Sequence, residues 1–254
     1  MELVTRSWQH PTGKQPKTVH LVCLGASHHD YDQLWLSPDT PDILANADEV
    51  WTVNRGIFNV PHDVAFVMDF IEGEANRFPV YGARLWNHDR HIITSERPGD
   101  WPEHVHRFPF EEVYSWLSRW PKQKWTDIDG TEYESAGPPT QVDWWINSIP
   151  YVVAYAGWIG VKRLNLWGAD YHHHNSGRVE SGHPNVAYWL AQMEHVGMTI
   201  TVPQSSTLLD INMRDHIYGY PPHMDPRPGA VARRAAFRRL AGLDPAMEEE
   251  ANGN

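Results

Sequence analysis

Four short segments carry small or polar residues where a packed core would call for nothing special: Gly25-Ala26-Ser27, Asn54-Arg55, Asp69 and Gly168-Ala169-Asp170. Each closes an apolar run, so each reads as the carboxyl end of a buried strand. In open parallel sheets, ligands bind outside those ends. Gly25 permits close backbone approach, and Ser27 is suited to cap a helix or to donate to a phosphate. Taken alone, Gly-x-Ser reads first as a simple tight turn, being neither a dinucleotide fingerprint nor a phosphate-binding P-loop.

Carboxylates and imidazoles supply the remaining chemistry. Two Asp-x-Asp pairs occur, Asp30-Tyr31-Asp32 and Asp127-Ile128-Asp129. Paired carboxylates can hold a hard divalent ion against a diphosphate. The second pair sits beside Gly130, where turn chemistry alone explains an aspartate, and a structural reading is preferred for both. Asp69 and Asp170, at separate strand ends, are the better candidates for converging on one site. His172, His173 and His174 follow Asp170 almost directly. An extended backbone would put His172 and His174 on one side, where His172 can act as a general base. The same run reads equally as an exposed polar loop, and a metal site, with His28, His29 and His183 as further members, ranks below both.

The elements that must position these residues follow from the apolar pattern. Residues 19–24, 49–53, 64–68 and 162–167 read as buried strands, and 198–202 alternates as a strand does. Tyr31 to Ala47 reads as short helical pieces, broken by Pro38 and Pro41. Helices are expected over 141–160, with Pro150 kinking or restarting the first, and over 184–196. The alternation implies an α/β fold with a doubly wound, mainly parallel Rossmann-like sheet. Residues 72–140 break the rhythm and read as a Trp-rich insertion or lid containing a β-hairpin that turns at Asp129-Gly130. The domain plan is thus an N-terminal extension (1–17), a Rossmann-like domain (18–220) and a Pro-rich, basic, then acidic tail (221–254).

Composition narrows the function classes. The 254 residues hold 32 acids against 21 Lys plus Arg, a net charge of −11. That balance argues against a dedicated nucleic-acid coat, although Arg233, Arg234, Arg238 and Arg239 offer one local patch for DNA phosphates. With 41% apolar and 21% charged residues the chain is globular rather than disordered. The single cysteine, Cys23, excludes a disulfide framework and a Cys-based zinc site. The longest apolar run, Tyr151 to Val161, is about half of what a bilayer needs, and the polar N-terminus lacks a signal-peptide core. The expectation is a soluble, cytoplasmic protein with no membrane partner. Its 13 tryptophans and 16 histidines point to stacking surfaces and to groups that titrate near neutrality.

Taken together, Gly25-Ala26-Ser27, Asp48 to Asn54 and Asp63 to Asp69 resemble one superfamily. It comprises the flagellin-modifying motility accessory factors, archaeal 6-hydroxymethylpterin diphosphokinases and sialyltransferase-like glycosyltransferases. Asn147 to Gly157, with Lys162 to Asp170, is similar to that group's helix and Gly-x-Asp strand end. His183 to Leu190, with Pro203-x-Ser-Ser, looks most like its phage-encoded members. The resemblance spans residues 18 to 210, and Ala26 departs from it where members carry a second glycine. It implies that Gly25, Ala26, Ser27, Asn54, Arg55, Ser148 and Gly168 bind the donor nucleotide or sugar. It further implies that Asp69 and Asp170 bind sugar, acceptor or metal. The expected activity is a glycosyltransferase using a UDP- or CMP-sugar, with Mg or Mn as a possible metal and hydroxymethylated DNA as a possible acceptor. The alternatives are a pyrophosphokinase using ATP and Mg, a non-enzymatic nucleotide-binding phage accessory protein, and a metal-dependent hydrolase built on the histidine run.

Overall fold

The computed structural model of the chain describes residues 8–25, 27–34, 46–117, 124–126, 130, 132–134, 145, 147–171, 182–203, 206 and 208. The apolar runs become β1 (Thr18–Val22), β2 (Glu49–Val53), β3 (Val64–Val67) and β8 (Arg163–Trp167). With β4 (His91–Thr94), β5 (Val105–Arg107) and β9 (Thr199–Thr201) they form a seven-stranded sheet, ordered β5-β4-β3-β2-β1-β8-β9. Every neighbouring pair is parallel. The fold is therefore the expected α/β, Rossmann-like arrangement.

Side-chain alternation explains why these strands read as mainly apolar runs. In β3, Val64 and Phe66 join a core with Trp51, Tyr155 and Trp189, whereas Ala65 and Val67 join another with Ile71, Tyr81, Leu85 and Ile92. Successive residues point to opposite faces, and both faces are covered. The first core takes its helical side from α4 (Phe110–Leu117), α5 (Ser148–Ile159) and α6 (His183–His195). The second takes it from α2 (Ile71–Arg77) and α3 (Pro79–Trp86). The short α1 (His28–Leu34) follows β1 and places Tyr31 in a third cluster with Val22 and Trp167.

Two expectations are corrected. Residues 72–140 are not one insertion: β4 extends the sheet beyond β3, β5 extends it beyond β4, and α2 and α3 cover one face. Among the described residues, only β6 (Lys124–Thr126) and β7 (Glu132–Glu134) stand outside the large sheet, as an antiparallel hairpin. Pro150 does not kink α5, which begins two residues before it. It occupies the first turn of α5, where its missing N–H has no intrahelical partner to lose, and Asn147 caps that turn by accepting from the Ile149 N–H. Residues 141–144 and 146, the rest of the expected helix, lie outside the described residues.

The N-terminal segment is tied to the sheet by a buried polar lock. His10 contacts the Tyr155 hydroxyl at 2.6 Å and the Glu49 carboxylate at 2.7 Å. Thr12 and the Trp51 indole N–H donate to the same carboxylate. Burial opposes the Glu49 charge, but the bonds from His10, Thr12 and Trp51 outweigh it and hold the carboxyl below its ordinary pKa. No helix among the described residues is long and apolar enough to cross a membrane.

Candidate functional site

Strand order reverses between β1 and β8, because the chain runs outward from β1 through β5 and later returns on the other side of β1. The loops at those two carboxyl ends are fastened to one another. Gly25 N–H donates to the Gly168 carbonyl at 2.7 Å, and Cys23 N–H donates to the Trp167 carbonyl at 2.7 Å. A Cβ on Gly25 would lie 2.6 Å from the Gly168 oxygen and 2.7 Å from Asp170 Oδ2. Gly168, at φ +67°, could take no side chain without meeting the Cys23 carbonyl. Asp170 accepts from the Ser27 N–H and hydroxyl, at 2.5 and 2.9 Å, while Ser27 Oγ accepts from the Gly168 N–H at 3.1 Å. The close backbone approach that Gly25 permits is made to the Gly168 carbonyl just beyond β8. Ser27, 3% exposed, has its hydroxyl committed to Asp170 and Gly168.

A cavity opens on the other side of β1. It has a volume of about 320 Å³ and is lined by Leu24, Val53, Asn54, Arg55, Asp69, Glu74 and Tyr81. Leu24, Asn54 and Asp69 follow three adjacent strands, so the parallel sheet itself brings them to one edge. Asn54 is the one non-glycine residue at positive φ (+48°) among the described residues. Its side chain is fixed from across the site, where Ser148 Oγ donates to Asn54 Oδ1 at 3.2 Å. A strained backbone held by a partner from another element is the pattern expected at a ligand-binding edge.

Electrostatically the cavity sets one cation against two carboxylates. The Arg55 guanidinium lies 4.4 Å from the centre of the Phe78 ring, which supports its apolar face. Desolvation raises the Asp69 pKa although the residue is exposed, and the Glu74 carboxylate raises it further. Tyr81 is 4% exposed, and its hydroxyl has no hydrogen-bond partner among the described residues. Burial raises its pKa, with Asp69 and Glu74 acting in the same direction.

Asn54, Arg55 and Asp69 therefore meet, and Ser148 reaches Asn54. Gly25, Ser27, Gly168 and Asp170 form a separate cluster. Asp69 and Asp170 do not converge on one atom: β3 and β8 are three strand spacings apart, roughly 14 Å. Asp30 and Asp32 fall two residues apart on α1, about 200° around the helix, so they cannot chelate one ion together. Ala26, His172, Asp127, Asp129, Arg233, Arg234, Arg238 and Arg239 lie outside the described residues. Sequence reading missed Glu74 and Tyr81, whose signal is only that α2 and α3 follow directly on a strand ending in Asp69. Comparison with known proteins found no matching family model, no similar curated protein and no similar solved structure.

Proposed function

We propose that the chain is a transferase that binds a nucleotide-activated sugar along the carboxyl edge of the sheet and passes the sugar to a hydroxyl acceptor. One observation carries this reading: Asn54, Arg55, Asp69, Glu74 and Tyr81 line a single cavity at adjacent strand ends. At about 320 Å³ it is at the small end of ligand sites, the size of a sugar or a nucleoside rather than of a whole donor. The remainder of the donor would extend along the edge.

Each residue has a role consistent with its surroundings. Asp69 accepts the proton of the attacking hydroxyl, and its raised pKa brings the base nearer to neutrality, where proton transfer is more effective. Arg55 presents its N–H groups to the departing phosphate while Phe78 supports its flat face. With Oδ1 of Asn54 engaged by Ser148, its amide N–H groups remain to orient sugar oxygens. A divalent ion such as Mg²⁺ or Mn²⁺ would be held by Glu74 and the donor diphosphate, which leaves Asp69 free as the base. When bound, such an ion supplies charge neutralisation at the diphosphate. The superfamily resemblance and the phage-like segments make hydroxymethylpyrimidine DNA the first acceptor to test. The net charge of −11 favours including a glycan or protein acceptor beside it.

The test is a thermal-shift panel of UDP-sugars, CMP-sugars and ATP with and without a pterin, each with Mg²⁺ and Mn²⁺, followed by mass spectrometry of acceptors. A donor at a hundredfold excess over Kd adds about 2.7 kcal/mol, a rise of roughly 5–10 °C for a domain of this size. A shift with a nucleotide sugar and a mass gain on an acceptor supports transfer. A shift with ATP and pterin alone would replace it with pyrophosphoryl transfer, and binding without turnover of any ligand would replace it with sequestration.

A further inference from the structure

The geometry points to a transition-metal site on α1, formed by His28, His29 and Asp32, and independent of the sugar-transfer reading. Asp32 follows His28 by four residues and His29 by three, so all three side chains share one helix face. His28 Nε2 lies 3.8 Å from Asp32 Oδ2, and His29 Nδ1 lies 3.8 Å from the same oxygen. The three ligand atoms all fall within 4.8 Å of one another. Those separations are too long for hydrogen bonds. Tetrahedral zinc with bonds of 2.0–2.1 Å separates its ligands by about 3.4 Å, so rotation of exposed side chains closes the difference.

The tautomer supports the same conclusion. His28 Nδ1 lies 2.8 Å from the Gly25 carbonyl oxygen, which can only accept. The neutral ring therefore carries its proton on Nδ1 and turns the Nε2 lone pair toward Asp32. Metal-binding histidines are held in this way, by a carbonyl on the nitrogen that does not bind. That anchor is rigid, because Gly25 is itself fastened to Gly168 at the end of β1. The second imidazole lies alongside, with ring centres 4.2 Å apart and planes 35° from parallel.

Two imidazoles and one carboxylate select Zn²⁺, Co²⁺, Ni²⁺ or Fe²⁺ over Mg²⁺ and Ca²⁺, which prefer oxygen. The site is thus distinct in chemistry from the one that Glu74 and a diphosphate would form. His29 and Asp32 are exposed at 71% and 61% of their side-chain area, so a fourth position stays open to water. The sequence offers Asp32 as half of an Asp-x-Asp pair, whereas the helix gives it two histidines as neighbours.

Isothermal titration with Zn²⁺, and with Co²⁺ followed by its visible absorption, tests the assignment on the full chain in the absence of any donor. One Zn²⁺ per chain is expected, unaffected by millimolar Mg²⁺. Asp32→Asn and His29→Ala, both at exposed positions, should each weaken binding at least about tenfold without lowering the metal-free melting temperature. The combined variant His172→Ala, His173→Ala, His174→Ala should retain the site. Unchanged affinity in both Asp32→Asn and His29→Ala would overturn the assignment. So would loss of binding in the triple variant alone.

Discussion

Acid should weaken this protein through a pair of histidines as pH falls from 6.5 toward 4, starting before its carboxylates protonate. His62 Nδ1 lies 2.5 Å from the Val60 carbonyl and donates to it, which leaves His62 Nε2 as an acceptor. His88 Nε2, 2.8 Å away, must then be the donor between the stacked rings. His88 Nδ1 is left as a buried lone pair with no hydrogen-bond partner among the described residues, 4.0 Å from Asp89 Oδ1. Burial lowers the His88 pKa from 6.5 to about 4, and the neighbouring His62 and Arg84 act in the same direction. The folded state therefore favours neutral His88, and the unfolded chain binds the extra proton. This contribution is complete above pH 6.5 and is lost as pH falls toward 4. For these two pKa values the loss is about 2 kcal/mol by pH 5 and about 3 kcal/mol by pH 4. His106, also lowered to about 4 by burial and by His91, adds less because it is partly open to solvent. Urea titrations between pH 7 and 4.5, on wild type and His88→Gln, measure this slope. Equal slopes in the two proteins, or wild-type stability flat over that range, would refute the reasoning.

Three further outcomes follow from single residues. Gly168→Ala should destabilise by about 2 kcal/mol or more by chemical denaturation, because φ +67° and the Cys23 carbonyl both oppose a side chain there. Tyr81→Phe should raise stability by about 1 kcal/mol, since it removes a buried hydroxyl with no partner among the described residues; a lower melting temperature would show that the hydroxyl is satisfied. Asn54→Gly should keep the fold, and Asn54→Ala should cost about 1 kcal/mol at φ +48°, while donor affinity measured by titration falls in both.

The parts of the fold legible in sequence are those whose burial writes itself into composition. β1, β2, β3 and β8 are packed on both faces, so mainly apolar runs such as Val64–Val67 stand out. β4 and β5 escaped because their apolar content is only Ile92-Ile93 and Val105, too short to stand out as runs. The same holds for the site. Asn54 and Asp69 were visible because a parallel sheet gathers its strand ends whatever the register. The engagement of Ser27 with Asp170 was not, since it depends on the pairing of β1 with β8 across more than a hundred residues of chain. Glu74 and Tyr81 enter the cavity from α2 and α3, and no periodicity reveals which helix face meets a strand end.

The central claim is that Asp69 acts as base in a cavity shared with Asn54 and Arg55. The most direct measurement is steady-state kinetics of wild type and Asp69→Asn with the nucleotide sugar that binds, following transfer or hydrolysis of the donor. Asparagine keeps the shape and removes the proton acceptor, so kcat should fall by about a hundredfold or more while KM changes by no more than about threefold. An unchanged kcat in Asp69→Asn would contradict the account.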